Sequence, residues 1–130
     1  MIRRIVISLA FLLVPLGNSA SAHHNMTALF DFNDRVTLTG TLTKIDWRNP
    51  HTYLIVDVKN AKGAMESWSA EGPSPSWFRI RDIGKTDFES SLSKSLTLEL
   101  SRARDKSLSG LLRTITMPGG RVVSACPQNC

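Results

Sequence analysis

Cysteine is scarce: Cys126 and Cys130, in the closing segment Cys-Pro-Gln-Asn-Cys, are the only two among 130 residues. In an oxidising compartment two cysteines this close form a small disulfide loop, which removes little chain entropy and adds little to global stability. A redox pair has the spacing C-x-x-C, one residue shorter, so a structural bridge or a frayed tail fits better than electron exchange. Long apolar runs are absent after residue 22, so no membrane-spanning segment is expected in the mature chain. Catalytic templates are missing as well. There is no G-x-S-x-G, no H-E-x-x-H and no phosphate-binding glycine loop. A single tyrosine leaves little aromatic platform for a substrate. Histidine is limited to His23, His24 and His51.

The first 22 residues have the parts of an export signal: Arg3 and Arg4, an apolar run from Ile5 to Leu16, and the small-residue site Ala20-Ser21-Ala22. The run falls short of the about 20 residues a bilayer-spanning helix needs. Cleavage after Ala22 is expected, which places the protein in the periplasm or outside the cell. Of the 130 residues 108 then remain, enough for one domain over residues 23–125 with one modest core, followed by the tail 126–130. The signal carries two arginines and no acid, so the net charge of +5 becomes +3. That small excess is spread along the chain and does not indicate a nucleic-acid partner. The basic loop Arg102-Ala103-Arg104-Asp105-Lys106 fits either an anionic glycan or lipid headgroup, or a solvated hairpin tip.

Alternation of apolar and polar residues reads as strands. Val36, Leu38 and Leu42 share one face, whereas Ile45 and Trp47 fall on the other parity, so a bulge or bend is predicted between Gly40 and Lys44. Arg48-Asn49-Pro50 is a turn, and a second strand runs from His51 to Val58, with Leu54, Val56 and Val58 on one face. A third strand is expected over 64–71. Ser74 followed by Pro75 starts a short helix reaching about Arg81, with Trp77 and Ile80 on one face. Leu96, Leu98 and Leu100 mark a fourth strand, Leu111 to Met117 a fifth, and Arg121 to Ser124 a small sixth. The expected fold is mainly β: a small five- to six-stranded OB-like barrel with one short helix between strands three and four. A small open sandwich is the alternative.

Two constellations carry chemistry. Cleavage after Ala22 gives His23 both an amine and an imidazole, and copper(II) favours such nitrogen donors in a planar array. His51 would complete a three-nitrogen site, a histidine brace, with His24 adjacent and the Met26 thioether suited to copper(I). The same histidines also fit a solvated terminus and a turn cap. The second constellation joins Trp47, Asn49 and His51 to Glu71, all at strand ends. A histidine beside a carboxylate can orient a ligand, move a proton or bind metal. In the structural alternative Asn49 and Pro50 form the hairpin, Trp47 packs on the core, and Glu71 caps or pairs with Arg48.

These segments resemble a domain-of-unknown-function group of small exported bacterial proteins that mature near Ala-His-His, carry V-x-L-x-G-T and continue with W-x-N-P-H. Here they read Ala22-His23-His24, Val36-Thr37-Leu38-Thr39-Gly40-Thr41 and Trp47-Arg48-Asn49-Pro50-His51. Glu71-Gly72 with Ser74-Pro75, and Met117-Pro118-Gly119-Gly120-Arg121, match two further segments. The chain departs from the group at Arg81-Asp82-Ile83-Gly84, where Arg-Gly-Trp is usual, and at Ser93-Lys94, where Gly-Asp is usual. The resemblance implies an exported, compact barrel-like β domain and implies no activity. The expectation is therefore a periplasmic, non-enzymatic domain that binds copper through the N-terminal histidines and His51. A metal-independent protein- or glycan-interaction module is the alternative, and a small copper oxidase built on the brace is a second.

Overall fold

A computed structural model describes residues 26–126. The expected signal peptide, His23, His24 and Cys130 lie outside these residues. A short helix α1 (Met26–Leu29) leads into an 18-residue strand β1 (Phe30–Trp47), followed by β2 (Thr52–Lys59) and β3 (Met65–Glu71). Helices α2 (Pro75–Arg79) and α3 (Lys85–Glu89) precede β4 (Ser95–Ala103), β5 (Ser109–Thr116) and β6 (Val122–Ser124). The six strands form one sheet in the order β3-β2-β1-β4-β5-β6, and β3 also pairs in parallel with β5. All other pairings are antiparallel.

Long β1 serves two neighbours because it bends. Its first part pairs with β4, from Arg35 opposite Ser101 to Thr41 opposite Ser95, and its last part pairs with β2, from Thr41 opposite Asp57 to Trp47 opposite Thr52. Between Leu42 and Lys44 the register slips by one, leaving Thr43 as the extra residue. The predicted parity change is thus a β-bulge, which turns Leu42 and then Ile45 and Trp47 to the same core. Gly40 sits just before it, where a Cβ would run into the Asp57 carbonyl. The core is built mainly from the alternate residues of β2, β4 and β5, including fully buried Leu54, Val56, Leu98, Leu100 and Ile115.

Trp47, Phe78 and Phe88 close one end of this core. Ring centroids lie 5.6 Å apart for Trp47 and Phe78, 5.5 Å for Trp47 and Phe88, and 5.2 Å for the two phenylalanines. Burying each phenylalanine is worth about 1.5–3 kcal/mol. The helical region differs from expectation in two ways. Two helices, not one, connect β3 to β4, because α3 contributes only Phe88 to the core and so leaves no periodic signal. In α2 the inward residues are Pro75 and Phe78, whereas Ile80 is 74% exposed. The expected Trp77/Ile80 face is not the buried one. Arg81 instead stacks its guanidinium 3.6 Å from the Trp77 ring.

The start of α2 follows its sequence signal. Ser74 caps the helix, accepting a hydrogen bond from the Trp77 N–H at 3.4 Å, with Pro75 in the first turn. Arg121 donates to the Arg81 carbonyl at 2.9 Å and to the Asp82 carbonyl at 3.2 Å. Because both acceptors are backbone atoms, the unusual side chains at 81–84 do not disturb this tie. β1 also starts earlier than Val36. Its first residues pair irregularly with β4, between Phe30 opposite Ala103 and Arg35 opposite Ser101.

Candidate functional site

The connection from β1 to β2 runs from Trp47, anchored among the core rings, through exposed Arg48, Asn49 and Pro50 to half-buried His51. The Asn49-Pro50 peptide is cis. Beyond it, Thr52 is fully buried and clamps the start of β2 onto the end of β3. Its N–H and hydroxyl both donate to the Pro73 carbonyl, at 3.1 and 2.9 Å, and its carbonyl accepts from the Gly72 N–H at 2.8 Å. Only glycine fits at 72, since a Cβ there would lie 2.7 Å from the Thr52 hydroxyl. This clamp fixes where the Gly72 carbonyl points.

That carbonyl stands 3.2 Å from His51 Nδ1, and Glu71 Oε1 stands 3.4 Å from the same nitrogen. A carbonyl only accepts, so Nδ1 carries the proton and the lone pair of the neutral imidazole lies on Nε2. Across the β2–β3 pair, Tyr53 is directly opposite Glu71. Burial pushes the Tyr53 phenol above its usual pKa, and the charge of Glu71 and a hydrogen bond to it add to the effect. The phenol therefore stays protonated at neutral pH and donates to Glu71. One carboxylate is thus flanked by a phenol and an imidazole, its side chain 19% exposed beside a His51 side chain at 25%.

Two cavities meet at Pro50 and His51. The more polar one, about 500 Å³, is lined by Leu29, Arg48, Asn49, Tyr53 and Glu71 with the shared pair. The other, about 300 Å³, is mostly apolar, with Met26, Phe32, Gly72, Pro73, Ser74, Leu111 and Ala125 around that pair. His51 and Glu71, expected to approach each other, do so. Asn49 faces the polar cavity, Met26 faces the apolar one, and Trp47 turns into the core. Arg48 does not pair with Glu71 but with Asp46, at 3.0 Å, because both lie at the turn.

Among the described residues no three His, Cys, Asp or Glu side chains form a metal-holding group. His23 and His24 fall outside them, and of the expected ligands the described part holds His51 and Met26. Cys126 is disulfide-bonded, while Cys130 lies outside the described residues. No described helix is long and apolar enough to cross a membrane.

The basic loop is engaged with the start of β1. Lys106 pairs with Asp34 at 2.7 Å and Arg104 with Asp31 at 3.4 Å, and Arg104 also donates to the Thr27 carbonyl at 2.7 Å. Both cations are paired within the fold, Arg104 tying α1 down and Lys106 holding β1.

Tyr53 is the site residue that sequence reasoning passed over. Its signal was present: Leu54, Val56 and Val58 point inward, so His51 and Tyr53 share the opposite face of β2. The Gly72 carbonyl had no such signal, because a backbone acceptor leaves no mark in side-chain pattern.

Residues 11–122 match a family of unknown function (DUF6152), and the chain belongs to it. Comparison with curated proteins and with solved structures returns no match.

Proposed function

We propose that this member of a family of unknown function is an exported, non-enzymatic copper-binding domain on an OB-type barrel. The barrel reading draws on the circuit of pairings from β1 through β2, β3, β5 and β4 back to β1, with helices between β3 and β4. The metal is held by the amine and imidazole of His23, freed by cleavage after Ala22, together with His51, with His24 and Met26 beside them.

The observation that carries this reading is the clamp on His51. Imidazoles that ligate metals donate their second ring N–H to a carboxylate or a backbone carbonyl, which fixes the tautomer and raises the basicity of the ligating nitrogen. Here Gly72 O and Glu71 supply both kinds of acceptor at Nδ1. Reach supports it too. Met26 lines a cavity with His51, and the three residues from there to His23 extend at most roughly 10 Å.

The test is to express the protein with its own leader, recover it from the periplasm, confirm the amino terminus by intact mass and titrate copper(II) against competing chelators. One equivalent bound at submicromolar affinity, and lost in His51→Ala, is the expected result. Weak binding, or binding indifferent to His51→Ala, rejects it. A second reading, a metal-independent module that binds a glycan, is favoured by the polar cavity of Arg48, Asn49, Tyr53 and Glu71. Glycan binding that survives both His51→Ala and chelation would select it.

A further inference from the structure

We propose that the outward face of α2, with the turn that follows it, is a peripheral docking patch for an anionic lipid surface, independent of any metal at His51. Trp77 and Ile80 share a helical face as their spacing requires, but that face looks away from the core, which takes Pro75 and Phe78. Ile80, at 74%, is the most exposed of the large apolar residues described. Arg79 and Arg81 flank it. Arg121 reaches in from the turn before β6 to the carbonyls of Arg81 and Asp82, which puts exposed Val122 at the same end of the molecule.

Charge at this end differs from charge elsewhere in the fold. Among the described residues Arg35, Arg48, Arg104 and Arg113 lie within ion-pair distance of a carboxylate. Arg79, Arg81, Arg102 and Arg121 do not, and all of these except Arg102 stand around Ile80. Backbone carbonyls steady them: Arg79 Nε donates to Pro75 at 3.3 Å and Arg81 Nη1 to Trp77 at 3.1 Å. A guanidinium has further N–H donors beyond these, in the fork geometry that suits a phosphate. Of the acids nearby, Glu89 pairs with Lys85 and Asp87 accepts from the Gly84 N–H, which leaves exposed Asp82 against Arg79, Arg81 and Arg121. The patch is therefore net positive.

Positive charge alone suits any anion. What selects a lipid surface is the aliphatic side chain set among the guanidiniums. Lipid phosphates meet the arginines while the acyl boundary takes Ile80, and an indole such as Trp77 favours the level where the two meet. An acidic protein segment satisfies the arginines but leaves Ile80 in water. The basic loop between β4 and β5 is a weaker headgroup site, because Arg104 and Lys106 are already paired with Asp31 and Asp34. Each arginine near an anionic surface strengthens binding about fivefold. Such a patch gives reversible attachment at the surface and no insertion, and no described helix is long and apolar enough to cross a membrane.

The test is co-sedimentation of the protein, expressed with its own leader and with its amino terminus defined by intact mass, in buffer containing a metal chelator. Vesicles of phosphatidylglycerol and phosphatidylcholine in equal parts are compared with phosphatidylcholine alone. Retention on the anionic vesicles only, weakened by salt, is the expected result. Arg79→Gln should lower the binding constant about fivefold and Arg79→Gln with Arg81→Gln about 25-fold. The single variant leaves the Arg81–Trp77 stack intact, so it decides the matter if the double variant is destabilised. Ile80→Asn should weaken binding in high salt as well as in low. Lys59→Gln with Lys62→Gln removes the same charge at the β2–β3 turn, at the end of β3 away from α2, and should change binding less than about twofold. No retention of the wild type, equal losses from the arginine and lysine pairs, or retention indifferent to Ile80→Asn overturns the proposal. Binding of soluble polyglutamate through Arg79 and Arg81 with no vesicle retention also overturns it, and makes the partner an acidic chain. Copper binding, present or absent, bears on none of these outcomes.

Discussion

Three residues separate Trp47 from His51, yet the two ends of that turn are held by opposite physics. Trp47 belongs to a dry three-ring cluster with Phe78 and Phe88, in which position follows from packing density and from nothing directional. His51 is half-buried and held by the directional bond that its Nδ1 donates to the Gly72 carbonyl, with Glu71 beside the same nitrogen and Tyr53 behind Glu71. The ring cluster fixes the backbone of the turn, and the polar set aims one nitrogen from it. Stability should therefore reside at the Trp47 side and ligand chemistry at the His51 side, so mutations can separate the two.

The largest expected effect is on the packed side. Phe78→Ala removes a fully buried ring that touches both partners and should cost about 3–5 kcal/mol of unfolding free energy. Urea denaturation followed by tryptophan fluorescence measures this, since Trp47 is one of the fluorophores. A loss below about 1 kcal/mol, within the range of a surface change, would mean that the cluster does not set this end of the fold.

On the polar side the order of effects reverses. Glu71→Gln preserves shape but removes the charge behind His51, and under the copper-binding proposal a second-layer partner of this kind is worth about 10–100-fold in metal affinity. Stability should fall by only about 1 kcal/mol, the scale of one partly exposed hydrogen bond. Tyr53→Phe, one step further out, is expected to reduce copper affinity less than Glu71→Gln does, with a similarly small change in stability. Copper titration of the three proteins under identical competitor conditions decides. If Glu71→Gln binds as tightly as the wild type, or if Tyr53→Phe weakens binding more, the order Tyr53, Glu71, His51 is not how the site is organised.

The same contrast explains what could be read from the chain. Packing leaves periodic traces, so the slip from Leu42 to Ile45 placed a bulge between Gly40 and Lys44, where the structure has it at Thr43, and alternation in β2 and β4 located the core. Where an element is too short for a period, the trace fails. Five-residue α2 gave no basis for preferring Phe78 over Ile80 as its inward residue, and α3 offered only Phe88. The start of β1 was hidden because Asp31, Asn33 and Asp34 interrupt its alternation, and Asp31 and Asp34 pair with the basic loop instead. At the site, His51 and Glu71 were found because their residue types are chemically marked. The Gly72 carbonyl depends on Thr52 bonding to its neighbour Pro73, a long-range fact that residue types do not encode.

The smallest expected effect lies between the loop and β1, and it has a defined pH dependence. Lys106 donates to Asp34 and holds its carboxyl below the usual value of 3.8, with the Lys106 and Arg102 charges adding to the hydrogen bond. A depressed folded-state pKa means that the unfolded chain binds its proton more readily. The stabilisation from this pair is therefore complete above the ordinary carboxylate pKa and is lost as the pH falls below it, through the folded-state value. The pair is exposed, so solvent and salt screen it. Lys106→Met should leave the melting temperature near neutral pH almost unchanged in high salt and lower it slightly in low salt. The difference between wild type and variant should vanish as the pH falls through the carboxylate range. A difference that grows with acidification would show that Asp34 is not the partner that matters, and a large loss at neutral pH would show that Lys106 holds the start of β1 far more firmly than an exposed ion pair can.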